Sequence, residues 1–324
     1  MKRLAAVWLG VALGWGADAG PQKTPEPTPA DSPFTLGILR RDGIIIPFAA
    51  HDGLKWSVPW PLDIRNVELP ISVDGIDPKW WGPVPPPKTM TLWADGKSRG
   101  ELTLLAPAPV QFPCARRIGV RTNYVSALLP PAPTEQPFPK DGLVVSGKHT
   151  IHAIARIAHN TPDMQAIGKG LYPAFDQVET DAALSFKDWV HPVPSVDRTK
   201  TSIVMEAAYT APMDVKGWRA IYVEASRRYP PRPEDEGCGL VTSVRGWLRL
   251  NPQGRYRYEL VAEITHCNRE GVGFMLPLGL IRAWNRTHWV YQIAGYEREV
   301  YVVAVPTPFG VERVAAYSAA LCSK

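Results

Sequence analysis

Apolar and polar positions alternate in short runs over most of the chain, and turn residues break the runs. That period of two, with successive side chains on opposite sides, is the signature of β-strands. Thr35–Arg40 and Ile44–Ala50 flank Asp42-Gly43, a pair that tolerates positive φ and so predicts a hairpin. Asp-Gly recurs at Asp52-Gly53, Asp74-Gly75, Asp95-Gly96 and Asp141-Gly142. The near-even spacing of the middle three suggests a two-strand repeat, but the intervening residues do not align. A plain antiparallel meander over residues 34–127 is the better reading. Pro59, Pro61, Pro70, Pro83 and Pro85–Pro87 mark strand ends and edges.

The second half repeats the pattern with longer strands. Strands are predicted at Trp218–Ser226, Leu240–Leu250, Arg255–Cys267, Leu276–Trp284, His288–Ala294, Tyr296–Val305 and Val311–Leu321. Short loops between consecutive strands favour antiparallel neighbours, which gives a C-terminal meander over 201–324. Between the halves, residues 128–200 hold a Pro-rich connection (128–141) and one short helical insert. The helix starts at Thr161-Pro162-Asp163, where Thr caps, Pro suits the first turn and Asp favours the positive end. Met164, Ile167 and Leu171 follow at helical spacing, while Gly168, Gly170 and Pro173 limit the helix to about Thr180. Thirty-four prolines argue against longer helices. The fold class is therefore mainly β: two antiparallel meanders, sandwich or half-barrel-like, with a helical insert between them.

The N-terminus changes the setting. Lys2 and Arg3 precede the uncharged run Leu4–Gly16, and Ala17-Asp18-Ala19 puts small residues where a signal peptidase reads. Residues 1–19 thus read as a secretory signal cleaved before Gly20, and 20–33 as a flexible Pro/Thr-rich tether. Removing Lys2, Arg3 and Asp18 leaves 34 basic and 30 acidic residues. Those charges are mixed along the chain, which disfavours a nucleic-acid partner. No later segment is long and apolar enough to span a bilayer. The expected location is the periplasm, the cell surface or the extracellular space.

Export makes the four cysteines a disulfide question. A two-residue Pro252-Gln253 loop sets Cys238 directly opposite Cys267. It also sets Trp247 opposite Tyr258, Val241 opposite Ile264, and Val244 opposite Val261. A three-residue loop closed by a glycine bulge shifts each pair by one. Cys114–Cys322 follows by elimination and would tie the early meander to the last strand.

Chemistry is sparse. The chain lacks a His-Glu-x-x-His pair, a Ser-x-x-Lys, a phosphate-binding glycine loop and an EF-hand loop. His149, His152, His159 and Asp163 form the densest titratable group. On a strand, however, His149 and His152 face opposite sides, so no metal site and no cofactor is expected. His51-Asp52 reads as a turn. Asn285-Arg286-Thr287 matches a glycosylation sequon, relevant only in a eukaryotic source.

Aromatic residues carry more. Trp56, Trp60, Trp80 and Trp81 lie close together in the Asp-Gly-rich region. Exposed, they would make a stacking face for a ligand, glycan or protein partner; buried, they would fill a β core. The leading expectation is an exported, non-catalytic binding protein using that aromatic surface. The competing expectations are a secreted polymer hydrolase and a structural envelope component.

Overall fold

The computed structural model describes residues 32–62, 70, 72–132, 135–187, 189–231 and 237–322. The expected signal sequence and all but the last two residues of the tether lie outside the described residues.

The N-terminal strands are β1 (Phe34–Arg40), β2 (Ile44–His51), β3 (Trp56–Ser57), β4 (Thr89–Ala94), β5 (Lys97–Phe112), β6 (Ala115–Thr122) and β7 (Lys140–Val145). All pair antiparallel, but not in chain order: the sheet runs β1-β7-β4-β5-β6-β2-β3, and β2 also pairs with β1. Six strands therefore close a ring, and β3 extends the far end of β2. A sequential meander is replaced by a closed barrel because β2 and β7 both find β1. Closure removes the exposed edges that a sequential meander leaves. Asp42-Gly43 and Asp95-Gly96 make the hairpin turns, the latter with φ of 52° and 70°. Asp52-Gly53 closes the short β2–β3 connection, Asp74-Gly75 sits in a 3₁₀ turn and Asp141-Gly142 lies inside β7.

Beyond the barrel come β8 (Ile151–His152), β9 (Ala155–Arg156), α1 (Pro162–Leu184), α2 (Ser195–Arg198) and β10 (Ile203–Pro212). The long strands follow: β11 (Arg219–Arg228), β12 (Leu240–Leu250), β13 (Tyr256–His266), β14 (Gly273–Ala283), β15 (Arg286–Gly295), β16 (Arg298–Pro306) and β17 (Val311–Leu321). They form two five-stranded antiparallel sheets, β13-β12-β11-β10-β9 and β17-β16-β15-β14-β8. Consecutive β8 and β9 enter different sheets and so tie the two together.

Alternation now sorts residues into layers. On β15 and β16, Val290, Tyr301 and Val303 pack toward the barrel. Their neighbours Trp289, Tyr291, Val302 and Ala304 pack toward the other sheet. On β11, Tyr222 joins that same inter-sheet layer, while Ile221 and Val223 turn to α1. The order is barrel, β14–β17 sheet, β10–β13 sheet, helix. A sheet buried on both faces reads as a continuous apolar run, as in Tyr301–Val305.

Helix α1 begins as expected, with Thr161 Oγ1 accepting the Met164 amide. It runs beyond the expected end near Thr180, through Pro173 to Leu184. Phe175 and Glu179 continue the buried stripe of Met164, Ile167 and Leu171. Glu179 then receives Arg227 Nη1 at 2.6 Å and the Tyr229 hydroxyl. Gly170 leaves room for the Tyr256 ring, which a β-carbon there would meet at 2.8 Å.

The chain is cross-linked by Cys114–Cys322 and Cys238–Cys267. The β12–β13 hairpin takes the bulged register, one residue from the two-residue-loop alignment. Trp247 faces Glu259, Val241 faces Thr265 and Val244 faces Ala262. The Asn251 side chain accepts the Gln253 and Arg255 amides and so stabilises the longer turn. Cys238 and Cys267 lie just past the last ladder pair, Leu240–His266, where an offset of one residue is easily absorbed.

Candidate ligand cleft

The four tryptophans singled out by sequence do not share an exposed face. Trp60 and Trp81 are 2% and 0% exposed, with ring centroids 5.0 Å apart. Trp60 donates its indole N–H to the Ile118 carbonyl at 2.8 Å. Trp80 is half-buried against Trp60. Trp56 is half-buried between Phe34, His51 and His288. Apolar neighbours on the surrounding strands draw these large rings inward, which corrects the expectation of a four-tryptophan surface.

The expected histidine group also disperses. His149 packs on Phe34 at 4.3 Å and lies 3.2 Å from Ser32 Oγ. His152 is exposed on β8, His159 is exposed ahead of α1, and Asp163 sits 3.5 Å from Arg219. Among the described residues no three His, Cys, Asp or Glu side chains are placed to hold a metal ion. His51 and Asp52 act apart. His51 Nδ1 accepts the Gly53 amide, and Asp52 accepts the amides of Leu54 and Lys55. The Lys55 and Leu54 amides hold the Asp52 carboxyl below its usual range. Three histidines from distant segments, His51, His149 and His288, instead collect around Phe34 and Trp56. Burial pushes the His149 ring down and His288 down to about 4.

A cleft lies elsewhere, where three segments meet. They are residues 136–140, the β13–β14 connection with the start of β14, and the β15–β16 turn. The cleft has a volume of about 930 Å³. Phe138, Val272, Phe274, Met275, Leu276 and Tyr296 supply most of its apolar wall. Leu276 and Tyr296 are 40% and 60% exposed, so apolar surface is available at the mouth.

The polar groups of the cleft are mostly committed. Lys140 Nζ lies 2.9 Å from Glu299 Oε1 and also donates to the Phe138 carbonyl. Tyr301 donates its hydroxyl to the same carboxylate oxygen. Burial pushes the Lys140 amine down, against the opposing pull of Glu299. Arg269 makes a two-point contact with Glu206 and stacks 4.7 Å from the Phe274 ring. Arg40 lies 3.8 Å over the Phe138 ring and pairs with Asp42 at 2.8 Å. Each of these cations has its own carboxylate. Gln292 has no such counterpart: it lines the cleft, is 1% exposed, and its Oε1 makes no hydrogen bond among the described residues, as is also true of Arg269 Nε, Arg40 Nη1 and Glu299 Oε2.

Both disulfides border this cleft. Pro113 in the wall adjoins Cys114, and Asn268 adjoins Cys267. Cys322 donates its amide to the Glu297 carbonyl at 3.2 Å. Sequence reasoning passed over Lys140, Gln292 and Glu299 because they lie far apart along the chain. The available signal was a lone glutamine within the apolar run His288–Ala294. The Pro-rich connection supplies one wall of the cleft.

The chain matches no family model, no curated protein and no solved structure.

Proposed function

We propose that the chain is an exported binding protein whose ligand occupies the cleft between residues 136–140 and the β14–β16 end of the molecule. The observation that carries this reading is an open, largely apolar cleft in which Gln292 Oε1 is, among the lining residues, the one buried acceptor without a described partner. A buried carbonyl oxygen without a partner costs free energy that a ligand donor restores. The cleft's cations are already neutralised, so the favoured ligand is uncharged, apolar and equipped with one N–H or O–H. Two disulfides at the rim and the signal-like residues 1–19 support the exported setting. Binding is preferred to polymer hydrolysis because Glu297 is the one carboxylate among the lining residues, whereas a glycosidase needs two across its substrate.

N-Phenyl-1-naphthylamine, apolar with a single N–H, is the probe. Its fluorescence should rise on saturable one-to-one binding. Leu276→Asp, which puts a charge on an exposed wall, should abolish the rise, while Trp80→Ala should leave it intact. Equal response in all three proteins, or loss only in Trp80→Ala, would move the site away from the cleft.

A further inference from the structure

A second cavity, of about 410 Å³, opens between the two C-terminal sheets. Its walls come from β11, β12 and β13 on one side and β15, β16 and β17 on the other. The alternation that layers the core puts Arg298, Val300 and Val302 on one face of β16, and all three line this gap. Ile293, Val261 and Val311 continue the apolar lining.

The charges around this gap do not balance. Four charged residues line it: Arg245, Arg298, Arg313 and Glu259. Arg245 is held by Glu263, and Glu259 is held by Arg249 at 3.1 Å. That leaves Arg298 and Arg313, neither of which has an ion-pair partner among the described residues. They stand toward opposite ends of the gap. Arg298 begins β16, while Arg313 on β17 pairs with Ala304, six residues further along β16. At about 3.3 Å per residue the two backbone positions are about 20 Å apart. Between them lie Tyr222 and Tyr291, each 3% exposed, whose hydroxyls make no hydrogen bond among the described residues. The trough thus has an apolar middle with two unused hydroxyls and an uncompensated cation toward each end.

We infer that this trough binds a slender apolar molecule with an anionic group at each end, of the α,ω-dicarboxylate class. A carboxylate suits a guanidinium, which offers paired donors in one plane. The alkyl body lies along the valines, and the tyrosine hydroxyls serve a carboxylate that reaches inward. This site is distinct from the cleft, although Arg298 directly follows the β15–β16 turn that lines the cleft. It differs from it in one respect that decides the ligand: the cleft's cations are paired and these two are not.

The test is isothermal titration calorimetry with dodecanedioate, dodecanoate and 1-dodecanol, each below its aggregation concentration. Dodecanedioate should bind at least tenfold more tightly than dodecanoate, and dodecanoate more tightly than dodecanol. Arg298→Met and Arg313→Met should each reduce dodecanedioate to the affinity of dodecanoate. Arg298→Lys and Arg313→Lys should recover part of the loss. Circular dichroism and retained N-phenyl-1-naphthylamine binding confirm that the variants are folded. Equal affinity for the mono- and diacid, no binding of either, or an unchanged diacid affinity in both Met variants would overturn the assignment.

Discussion

Lys140 Nζ lies 2.9 Å from Glu299 Oε1, and the two side chains are 1% and 2% exposed. The pair joins β7 of the barrel to β16 of the central sheet, so it crosses the boundary between the two halves of the chain. Charges buried this deeply are tolerated because each supplies the other's counter-charge.

Removing one partner leaves the other stranded. Lys140→Met should therefore lower unfolding stability by about 3–5 kcal/mol in urea titrations. Lys140→Met with Glu299→Leu should cost much less, because neither charge remains to be desolvated. Similar losses in the single and double variants would mean that packing, not charge pairing, dominates this junction.

Two other buried groups give opposite pH responses. Burial lowers His288 from an ordinary 6.5 to about 4, so its share of stability is complete above 6.5 and drains away as pH falls toward 4. Burial raises Glu224 from 4.5 to about 7, so its share is complete below 4.5 and is lost as pH rises through 7. Each shift corresponds to about 3 kcal/mol, and between pH 7 and 4.5 they offset one another. Glu224→Gln should unmask the histidine, giving a protein that loses about 3 kcal/mol more than wild type over that interval. His288→Gln should reverse the trend, gaining stability as pH falls. Urea unfolding at half-unit pH steps measures both slopes, and parallel curves for all three proteins would refute the pairing of effects.

The disulfides should matter for both stability and the cleft. Cys114–Cys322 spans 208 residues and Cys238–Cys267 spans 29. Opening them by Ser substitution should cost roughly 5 and roughly 3.5 kcal/mol from the freed unfolded chain. Because both border the cleft, each Cys→Ser variant should also bind N-phenyl-1-naphthylamine more weakly. Intact mass of exported protein should show a chain starting at Gly20 with four hydrogens fewer than its reduced form. Four free thiols in that protein would contradict the cross-links.

Much of the fold was legible in the chain itself. Strand β12 has the bounds that its alternation predicts, and so does β17. The Thr161 cap starts α1 at its expected place. These features depend on neighbouring residues: side-chain alternation, turn residues that accept positive φ, and a cap that satisfies nearby amides. The end of α1 was less legible, because Arg227 and Tyr229, about fifty positions away, hold Glu179 beyond Pro173.

The candidate sites were hardly legible at all. Alternation says that Trp289 and Val290 face opposite ways, but it does not say which layer each one meets. Once β14–β17 is covered on both faces, the distinction between a core face and a binding face disappears from local sequence. Trp60 and Trp81 became core for that kind of reason: the packing of the barrel, not their own residue type, settles their exposure. The same assembly brings Lys140 to Glu299 and His51 to His288. Alternation and turns were therefore set by the sequence alone, since each acts between near neighbours. Ring closure, layer order, the cleft and the trough between the C-terminal sheets were decided only by tertiary structure, because each requires residues distant in the chain to meet.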